Sequence, residues 1–260
     1  MSDGKHSPLI IAHRGASAYA PENTLASIRR AVAVGADGVE FDVRLSKDGI
    51  PIVIHDADLE RTCGRIEKVS EMTAEQLARI DAGSWFNVVH RKKADKAFED
   101  QRIPTLAGIL NELKDFDGVR YIELKCREAD AERLAKAVCS VLAYVRPTGK
   151  VIVKSFRLAA IPVVRMLAPD VTTAALFAPK VMTMLRKEKY LVKLAESFGA
   201  DELSLHYSLA TRRLMEKAHE HGFPVAIWTA DHLRLLKRAA KLGVSAIITN
   251  DPEKMLAATI

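Results

Sequence analysis

Residues 121–155, YIELKCREADAERLAKAVCSVLAYVRPTGKVIVKS, contain the pattern that decides the fold. Two short, largely apolar segments, Tyr121–Lys125 and Val151–Ser155, flank residues 130–145, where apolar residues recur with a helical period. A strand, a helix and a second strand in this order are typical of parallel strands that a helix connects.

The same alternation extends in both directions from this segment. Towards the C-terminus the predicted strands are Thr172–Phe177, Glu202–Leu205, Pro224–Trp228 and Ala246–Thr249. The predicted helices there are 158–167, 181–198, 209–221, 232–242 and one after Asp251. Towards the N-terminus, strands Leu9–Ala12 and Gly38–Arg44 flank a helix that starts at Pro21 and stops at Gly35.

Eight strand–helix units predict a closed (β/α)8 TIM barrel of the α/β class. The 260 residues suit one such barrel, for which roughly 250 residues are typical. An open doubly wound sheet is the alternative, but no G-x-G-x-x-G follows the first strand.

One segment interrupts the alternation. A further strand, Pro51–His55, is followed by about fifty residues before Leu106, more than the roughly 2–6 residues of an ordinary βα loop. Within them, Thr73–Gln76 has the spacing of a capping box and predicts a short helix. We expect one barrel domain over residues 1–260, with residues 56–105 as an insertion that caps the end where barrel active sites lie.

Composition excludes several classes of protein. Apolar residues make up 48% and charged residues 28%, which excludes wholesale disorder and a fibrous chain. No apolar run approaches the ~20 residues that cross a bilayer, and the N-terminus lacks a signal-peptide pattern. We therefore expect no stable membrane insertion and a cytoplasmic location. The odd number of cysteines (Cys63, Cys126 and Cys139), without C-x-x-C spacing, excludes a dense disulfide framework and a cysteine-rich zinc site.

The charge balance suits an anionic ligand. Lys and Arg number 39 against 33 Asp and Glu, so the net charge is +6. The basic residues are scattered among acids, and even the run His90–Lys93 is followed by acidic residues. This pattern is typical of a solvated surface, so we expect a small-molecule substrate and no nucleic acid. Nothing in the pattern indicates an oligomeric state.

Three carboxylates fall at predicted strand ends. Glu40 and Asp42 are two residues apart on one strand and therefore point to the same side, and Glu123 lies on the next barrel strand. Inward-facing carboxylates repel one another and lose hydration unless a cation lies between them. Oxygen ligands favour Mg²⁺ or Ca²⁺, so we expect one divalent ion there. The alternative is ion pairing alone, with Arg14, Arg44 and Lys125.

The remaining candidates suit phosphate chemistry. His13 follows the first strand and His55 ends the Pro51 strand, and imidazole titrates near neutrality, so one can accept a proton while the other donates. Arg14 and Lys125 supply positive charge for phosphate oxygens. His206 is a further candidate for a functional role, which the sequence does not define. Structural or surface roles are expected for His90, His219, His221 and His232.

These residues form a pattern that resembles a known family. His13-Arg-Gly15, Glu40-x-Asp42 and His55-Asp56 are similar to the HR…ExD…HD signature of the glycerophosphodiester phosphodiesterases. The similarity extends, in family order, through Ala20–Thr24, Ser46–Gly49, Asp58–Thr62, Asp81–Phe86, Ile103–Leu106, Glu123–Lys125, Ser155-Phe156, Trp228-Thr229 and Ile248–Pro252.

The resemblance implies a TIM barrel and a metal-dependent hydrolase that releases glycerol 3-phosphate and an alcohol from glycerophosphodiesters. It implies metal ligation by Glu40, Asp42 and Glu123, acid–base catalysis by His13 and His55, phosphate binding by Arg14 and Lys125, and a glycerol or alcohol pocket walled by Phe156 and Trp228. Core packing is the alternative role of the two aromatic residues.

Two positions depart from the family pattern. Cys63 replaces a common threonine, and Asp231 replaces a frequent asparagine, where it alters headgroup preference or caps the next helix.

Two alternatives to the main function stay open. One is a related phosphodiesterase for lysophospholipids, whose acyl chain would meet Trp85 and Phe86, and the other is a non-catalytic barrel that binds phosphorylated ligands.

Overall fold

A closed barrel of eight parallel strands lies at the centre of the computed structural model, which describes residues 7–179 and 188–259. Its strands are β1 (Leu9–His13), β2 (Gly38–Leu45), β4 (Val119–Leu124), β5 (Val151–Ser155), β6 (Thr172–Phe177), β7 (Glu202–His206), β8 (Val225–Trp228) and β9 (Ala246–Thr249). They follow one another around the barrel in this order, and β9 pairs with β1 to close it. The predicted TIM barrel is confirmed.

Helices alternate with these strands. Outside residues 56–105 they include α1 (Leu25–Ala33), α5 (Leu106–Glu112), α6 (Ala131–Val145), α7 (Ala160–Leu167), α8 (Glu188–Ser197), α9 (Arg212–Glu220), α10 (Leu233–Leu242) and α11 (Pro252–Leu256). Between strand β3 (Pro51–Val53) and α5 lie α2 (Glu60–Cys63), α3 (Ala74–Leu77) and α4 (Ser84–Val89). Single 3₁₀ turns are Val69–Glu71, Arg91–Lys93, Lys96–Phe98, Glu128–Asp130 and Tyr207–Leu209. Within the described ranges, no helix combines the length and apolar character that a bilayer crossing requires.

Alternation along each strand separates two cores. On β2, Val39, Phe41 and Val43 are buried on the outer face, in one cluster with residues of α1, α5 and α6. Glu40 and Asp42 alternate with them and therefore face the barrel interior. The interior is filled by a cluster consisting mainly of Ile11, Tyr121, Ile152, Ala174, Ala226, Ala246 and Ile248.

The start of α1 differs from the prediction. The sequence places it at Pro21, but the helix begins at Leu25 with Thr24 as N-cap. The Thr24 side chain accepts a hydrogen bond from the backbone N–H of Ser27, and the Ser27 hydroxyl lies 3.3 Å from the Thr24 nitrogen, which forms a capping box. Asn23, at φ 58, lies in the left-handed region and separates Pro21 from the helix. The predicted helix 181–198 is described only as α8, because residues 181–187 lie outside the described residues.

The segment between β3 (Pro51–Val53) and α5 has a small core of its own. β3 pairs antiparallel with β2 and takes no part in the parallel barrel. Behind it cluster the buried residues Ile52, Ile54, Leu59, Val69, Leu77, Ile80, Ala82 and Ile103. The predicted capping box at Thr73–Gln76 is present at the start of α3. The Lys93 ammonium lies 2.6 Å from the backbone oxygen of Ala18, and Gln101 Oε1 accepts from the Ala26 nitrogen, which fixes this segment against the loop between β1 and α1 and against the first turn of α1.

Candidate functional site

Two adjacent strand ends bring the three predicted carboxylates together. Glu40 and Asp42 of β2 and Glu123 of β4 are buried, and one oxygen of each lies within 4.8 Å of one oxygen of the others. Strand register causes this proximity, because Asp42 and Glu123 are direct Cα partners in the parallel pair.

The donor set fits a hard divalent cation. Glu40 Oε1, Asp42 Oδ1 and Glu123 Oε1 are buried oxygens without a hydrogen bond of suitable geometry among the described residues. Each of them nevertheless lies near an ammonium group of Lys125 or Lys154. Carboxylate oxygens are the ligands that Mg²⁺ and Ca²⁺ prefer.

Arg14 and Lys125 place positive charge beside these carboxylates. Arg14 Nε lies 3.1 Å from Asp42 Oδ2, and Lys125 Nζ lies 3.3 Å from Asp42 Oδ1 and 2.5 Å from Glu123 Oε1. Burial raises the pKa of Asp42, but the charges of Lys125 and Arg14 outweigh burial and hold that pKa well below its usual range. Two of the three cations of the ion-pair alternative therefore contact the acids.

Arg44, the third cation of the ion-pair alternative, has other partners. Arg44 Nε donates to the backbone oxygen of His55 at 2.7 Å, and its Nη1 donates to that of Lys125. In its place the structure brings Lys154 of β5, whose ammonium lies 2.8 Å from Glu40 Oε1 and 3.6 Å from Glu123 Oε2. Burial raises the pKa of Glu40, and the charge of Lys154 reverses this, so the net direction is down.

His13 lies at the end of β1, beside the carboxylates. Its Nδ1 is 2.6 Å from Asn250 Oδ1, and its Nε2 is 3.9 Å from Glu40 Oε2. The next residue, Arg14, donates its backbone N–H to the same Glu40 oxygen at 3.1 Å. The first βα loop thus orients both His13 and Glu40.

His55 lies just after β3, beside the other end of the site. Its Nδ1 is 2.7 Å from Asp56 Oδ1, and Arg61 Nε donates to Asp56 Oδ2 at 2.6 Å. Because a carboxylate accepts only, Nδ1 carries the hydrogen and Nε2 is the free nitrogen. Burial lowers the pKa of His55, although the charge of Asp42 opposes this, so the neutral form is favoured at pH 7.

Glu22 connects the two histidine regions. It accepts from Arg14 Nη1 at 2.8 Å and from both terminal nitrogens of Arg61 at 2.7 and 2.8 Å. Behind it, Asn23 Nδ2 donates to Asp42 Oδ2 at 2.9 Å, and Asn23 Oδ1 accepts from the Asp42 nitrogen. Arg14 is therefore fixed by charge on two sides.

Aromatic side chains line the opposite part of the barrel mouth. The rings of Phe156 and Trp228 meet edge to face at 5.6 Å, and His206 contacts Trp228 at 5.4 Å. Lys125 Nζ lies 5.9 Å from the Phe156 ring centre, which connects this surface to the carboxylates. Phe156 remains 37% exposed, so it is not a core residue. Trp85 and Phe86 differ: Phe86 is buried, and Trp85 donates to the backbone oxygen of Ala82.

The sequence left several contributors without a role. Lys154 lies within the predicted strand Val151–Ser155 without an assigned role, and Glu22, Asn23, Arg61 and Asn250 lie within family motifs without one. Alternation on β5 puts Lys154 on the inward face with Ile152, and this signal was available from the sequence. The contacts of Asn23 and Asn250 depend on loop conformation, for which the pattern gave no signal.

Comparison with known proteins agrees with this geometry. Residues 13–254 match the model of the glycerophosphoryl diester phosphodiesterase family. A glycerophosphodiester phosphodiesterase of Caldanaerobacter subterraneus is 32% identical over 95% of this chain and 96% of its own length, and one of Bacillus subtilis is 29% identical over 94% and 84%. The structure of an Oleispira antarctica phosphodiesterase in complex with its product sn-glycerol-3-phosphate is similar at a TM-score of 0.85, with 28% identity over 97% of this chain and 96% of that chain. From the motifs, the barrel and these matches it follows that the chain belongs to the glycerophosphoryl diester phosphodiesterase family.

Proposed function

We propose that this chain hydrolyses glycerophosphodiesters to glycerol 3-phosphate and an alcohol at the mouth of the barrel, between His13 and His55. Family membership supports the reaction, and the product bound by the Oleispira relative supports the substrate class. The observation that carries the assignment of the site is the buried cluster of three carboxylates with two oriented histidines beside it.

Glu40, Asp42 and Glu123 would hold one divalent cation, Mg²⁺ or Ca²⁺. Such an ion, when bound, stabilises negative charge on phosphoryl oxygens as a Lewis acid. Arg14 and Lys125 add fixed positive charge beside it and bind the phosphodiester. Because both side chains are held by carboxylates, they need little reorganisation when the substrate binds.

The histidines move the protons. One Nε2 takes a proton from the attacking oxygen, which belongs to water or to the neighbouring glycerol hydroxyl. The other histidine acts in its imidazolium form, with hydrogen on both ring nitrogens, and donates its Nε2 proton to the leaving alkoxide as its bond to phosphorus breaks. Attack by the glycerol hydroxyl would form a cyclic phosphate first, which water then opens.

Phe156 and Trp228 form a wall for the glycerol or alcohol part of the substrate. Residues 56–105 form the cap on the His55 side, where Arg61 fixes Asp56. The lysophospholipid alternative depends on Trp85 and Phe86, but Phe86 is buried in this segment.

Cytoplasmic location stays a prediction of the sequence, which cell fractionation tests.

A product assay tests the proposed site. Glycerol 3-phosphate release from glycerophosphocholine should stop with EDTA and return with Mg²⁺ or Ca²⁺, and lysophosphatidylcholine should be a poor substrate. His13→Ala and His55→Ala should each lower kcat ~10²–10⁴-fold, the usual contribution of a proton-transfer group. His219→Ala, on α9 in the outer layer, is the matched control and should leave kcat unchanged. Normal turnover in either site variant would remove that histidine from the mechanism.

A further inference from the structure

A chain of polar contacts connects three neighbouring strand ends on the His13 side. Asp231 follows β8, Asn250 follows β9, and His13 ends β1. These strands are adjacent in the barrel, in the order β8, β9, β1. The loops are also tied through the backbone, because the nitrogen of Ala18 donates to the backbone oxygen of Asn250 at 2.9 Å.

The Asp231 carboxylate is surrounded by donors. Its Oδ2 lies 2.7 Å from Asn250 Nδ2, and its Oδ1 accepts from the Asn250 backbone N–H at 2.8 Å. The Thr249 hydroxyl is a third donor, at 3.0 Å from Oδ1. The Thr249 oxygen itself accepts from the Asp251 nitrogen, so its own hydrogen is directed at Asp231.

This arrangement determines which end of the Asn250 amide faces His13. A carboxylate accepts hydrogen bonds and donates none, so only the NH₂ of Asn250 can face Asp231. The amide oxygen must then face His13 Nδ1, at 2.6 Å. An amide oxygen also only accepts, so His13 Nδ1 must carry the hydrogen.

We propose that Asp231 is a positioning residue that acts through Asn250 on His13. It fixes the amide orientation, the amide fixes the tautomer with hydrogen on Nδ1, and Nε2 becomes the nitrogen available for proton transfer. That nitrogen faces the site, 3.9 Å from Glu40 Oε2. An uncharged residue at position 231 that can both donate and accept would allow the amide to turn and the other tautomer to form. The effect on catalysis rests on the proposed role of His13, whereas the tautomer does not.

The tautomer is tested without any turnover. ¹⁵N NMR of the imidazole ring of the full chain, assigned with His13→Ala, should show hydrogen on Nδ1 and an unprotonated Nε2 at a pH where the ring is neutral. Asp231→Ala should give a mixture of tautomers. Hydrogen on Nε2 in the unmodified chain, or an unchanged spectrum in Asp231→Ala, would overturn the proposal.

Steady-state kinetics test the effect of Asp231 on catalysis. Asp231→Ala should lower kcat about tenfold or more with KM nearly unchanged, because Asp231 lies behind Asn250, away from the reacting groups. Asp231→Asn should fall between this variant and the unmodified chain. The double variant Asp231→Asn/Asn250→Asp restores an acceptor for His13 Nδ1 and a donor behind it, and it should recover most of kcat.

Asp251→Ala is the matched control for loss of a carboxylate in the same region. Asp251 caps α11 through the Lys254 nitrogen and, among the described residues, forms no hydrogen bond with the side chain of Asn250 or His13. It should lose thermal stability but keep kcat and the His13 tautomer. Equal loss of kcat in Asp251→Ala and Asp231→Ala would contradict the proposal. If His13→Ala kept full turnover while the tautomer result held, the proposed function would fail and the assignment of Nδ1 would stand.

Discussion

Lys154 shows how one side chain sets the charge of the whole site. Its ammonium is almost completely buried between Glu40 and Glu123. With Arg14 and Lys125 it brings three positive charges to three carboxylates, before any cation binds. A divalent ion must therefore enter a cluster that is already neutral, and Lys154 must weaken its binding.

Lys154→Met should increase the affinity of the site for a divalent cation. In EDTA the variant should lose roughly 3–5 kcal/mol of unfolding free energy, because removal of one partner leaves buried carboxylates uncompensated. Metal should bind about tenfold more tightly, a gain of about 1.4 kcal/mol, and should raise Tm more than in the unmodified chain. Calorimetric titration and melting curves measure both effects. Lys136→Met, which removes a surface pair with Glu132, is the control, and equal metal affinity in all three proteins would contradict this account.

The limits of sequence-based prediction at this scale follow from register. Alternation on β2 predicts that Glu40 and Asp42 share a face, and the structure agrees. The neighbours across strands depend on register, which puts Asp42, Glu123 and Lys154 side by side on β2, β4 and β5. No pattern within a single strand contains that information, so the pairing of Lys154 with Glu40 could not be predicted.

Among the loops, the one between β1 and α1 determines the geometry of the site. Arg14 and Gly15 both have positive φ, 56° and 78°, which turns the chain so that the Arg14 nitrogen reaches Glu40. The loop lies directly on α1: a Cβ at position 15 would come within 2.5 Å of Ser27. Glycine is required here both by conformation and by space.

Gly15→Ala should therefore disturb the site as well as the fold. Gly35→Ala is the matched control, since Gly35 has φ 77° but no atom within 4 Å of the added Cβ. The control should lose about 1–2 kcal/mol from backbone strain alone and keep its activity. Gly15→Ala should lose about 1–3 kcal/mol more from overpacking, and its kcat/KM should fall ~10²-fold because Arg14 and Glu40 shift. Chemical denaturation and the product assay give the two numbers, and identical behaviour of the two variants would show that the close contact with Ser27 is unimportant.

The start of α1 shows what helix propensity alone does not predict. The sequence pattern predicts a start of α1 at Pro21, a residue that is also favourable in a first helical turn. Thr24 and Ser27 form the cap instead, and Glu22 and Asn23 are thereby left in the loop, where they contact Arg14 and Asp42. The residues that the prediction assigned to a helix are residues of the site.

Closure of the barrel places an acid where solvent cannot reach it. Glu202 begins β7 inside the barrel and accepts a hydrogen bond from the Tyr121 hydroxyl of β4 at 2.9 Å. The eight strands were predictable from alternation, but the layer of side chains that meets inside is a property of the closed molecule. Burial raises the pKa of Glu202 from 4.5 to about 7, although Tyr121 opposes this by its hydrogen bond.

The sign of the effect on stability follows from this pKa. Below pH 4.5 the Glu202 side chain is protonated in both the folded and the unfolded state and does not lower the unfolding free energy. Between pH 4.5 and about 7 the unfolded chain releases the proton while the folded chain keeps it, so the unfolded state gains stability as pH rises. Above pH 7 the penalty is constant, at about 3 kcal/mol.

Glu202→Gln should remove this penalty, because an amide does not ionise and its oxygen still accepts from Tyr121. The unfolding free energy of the variant should equal that of the unmodified chain near pH 4.5 and exceed it by about 3 kcal/mol at pH 8. Urea unfolding across this range measures the difference, in which all other titrating groups cancel. Glu216→Gln, on the exposed face of α9, should show no such trend. A pH-independent difference for Glu202→Gln would mean that Glu202 is ionised throughout, with its charge compensated by the nearby lysines Lys150 and Lys154.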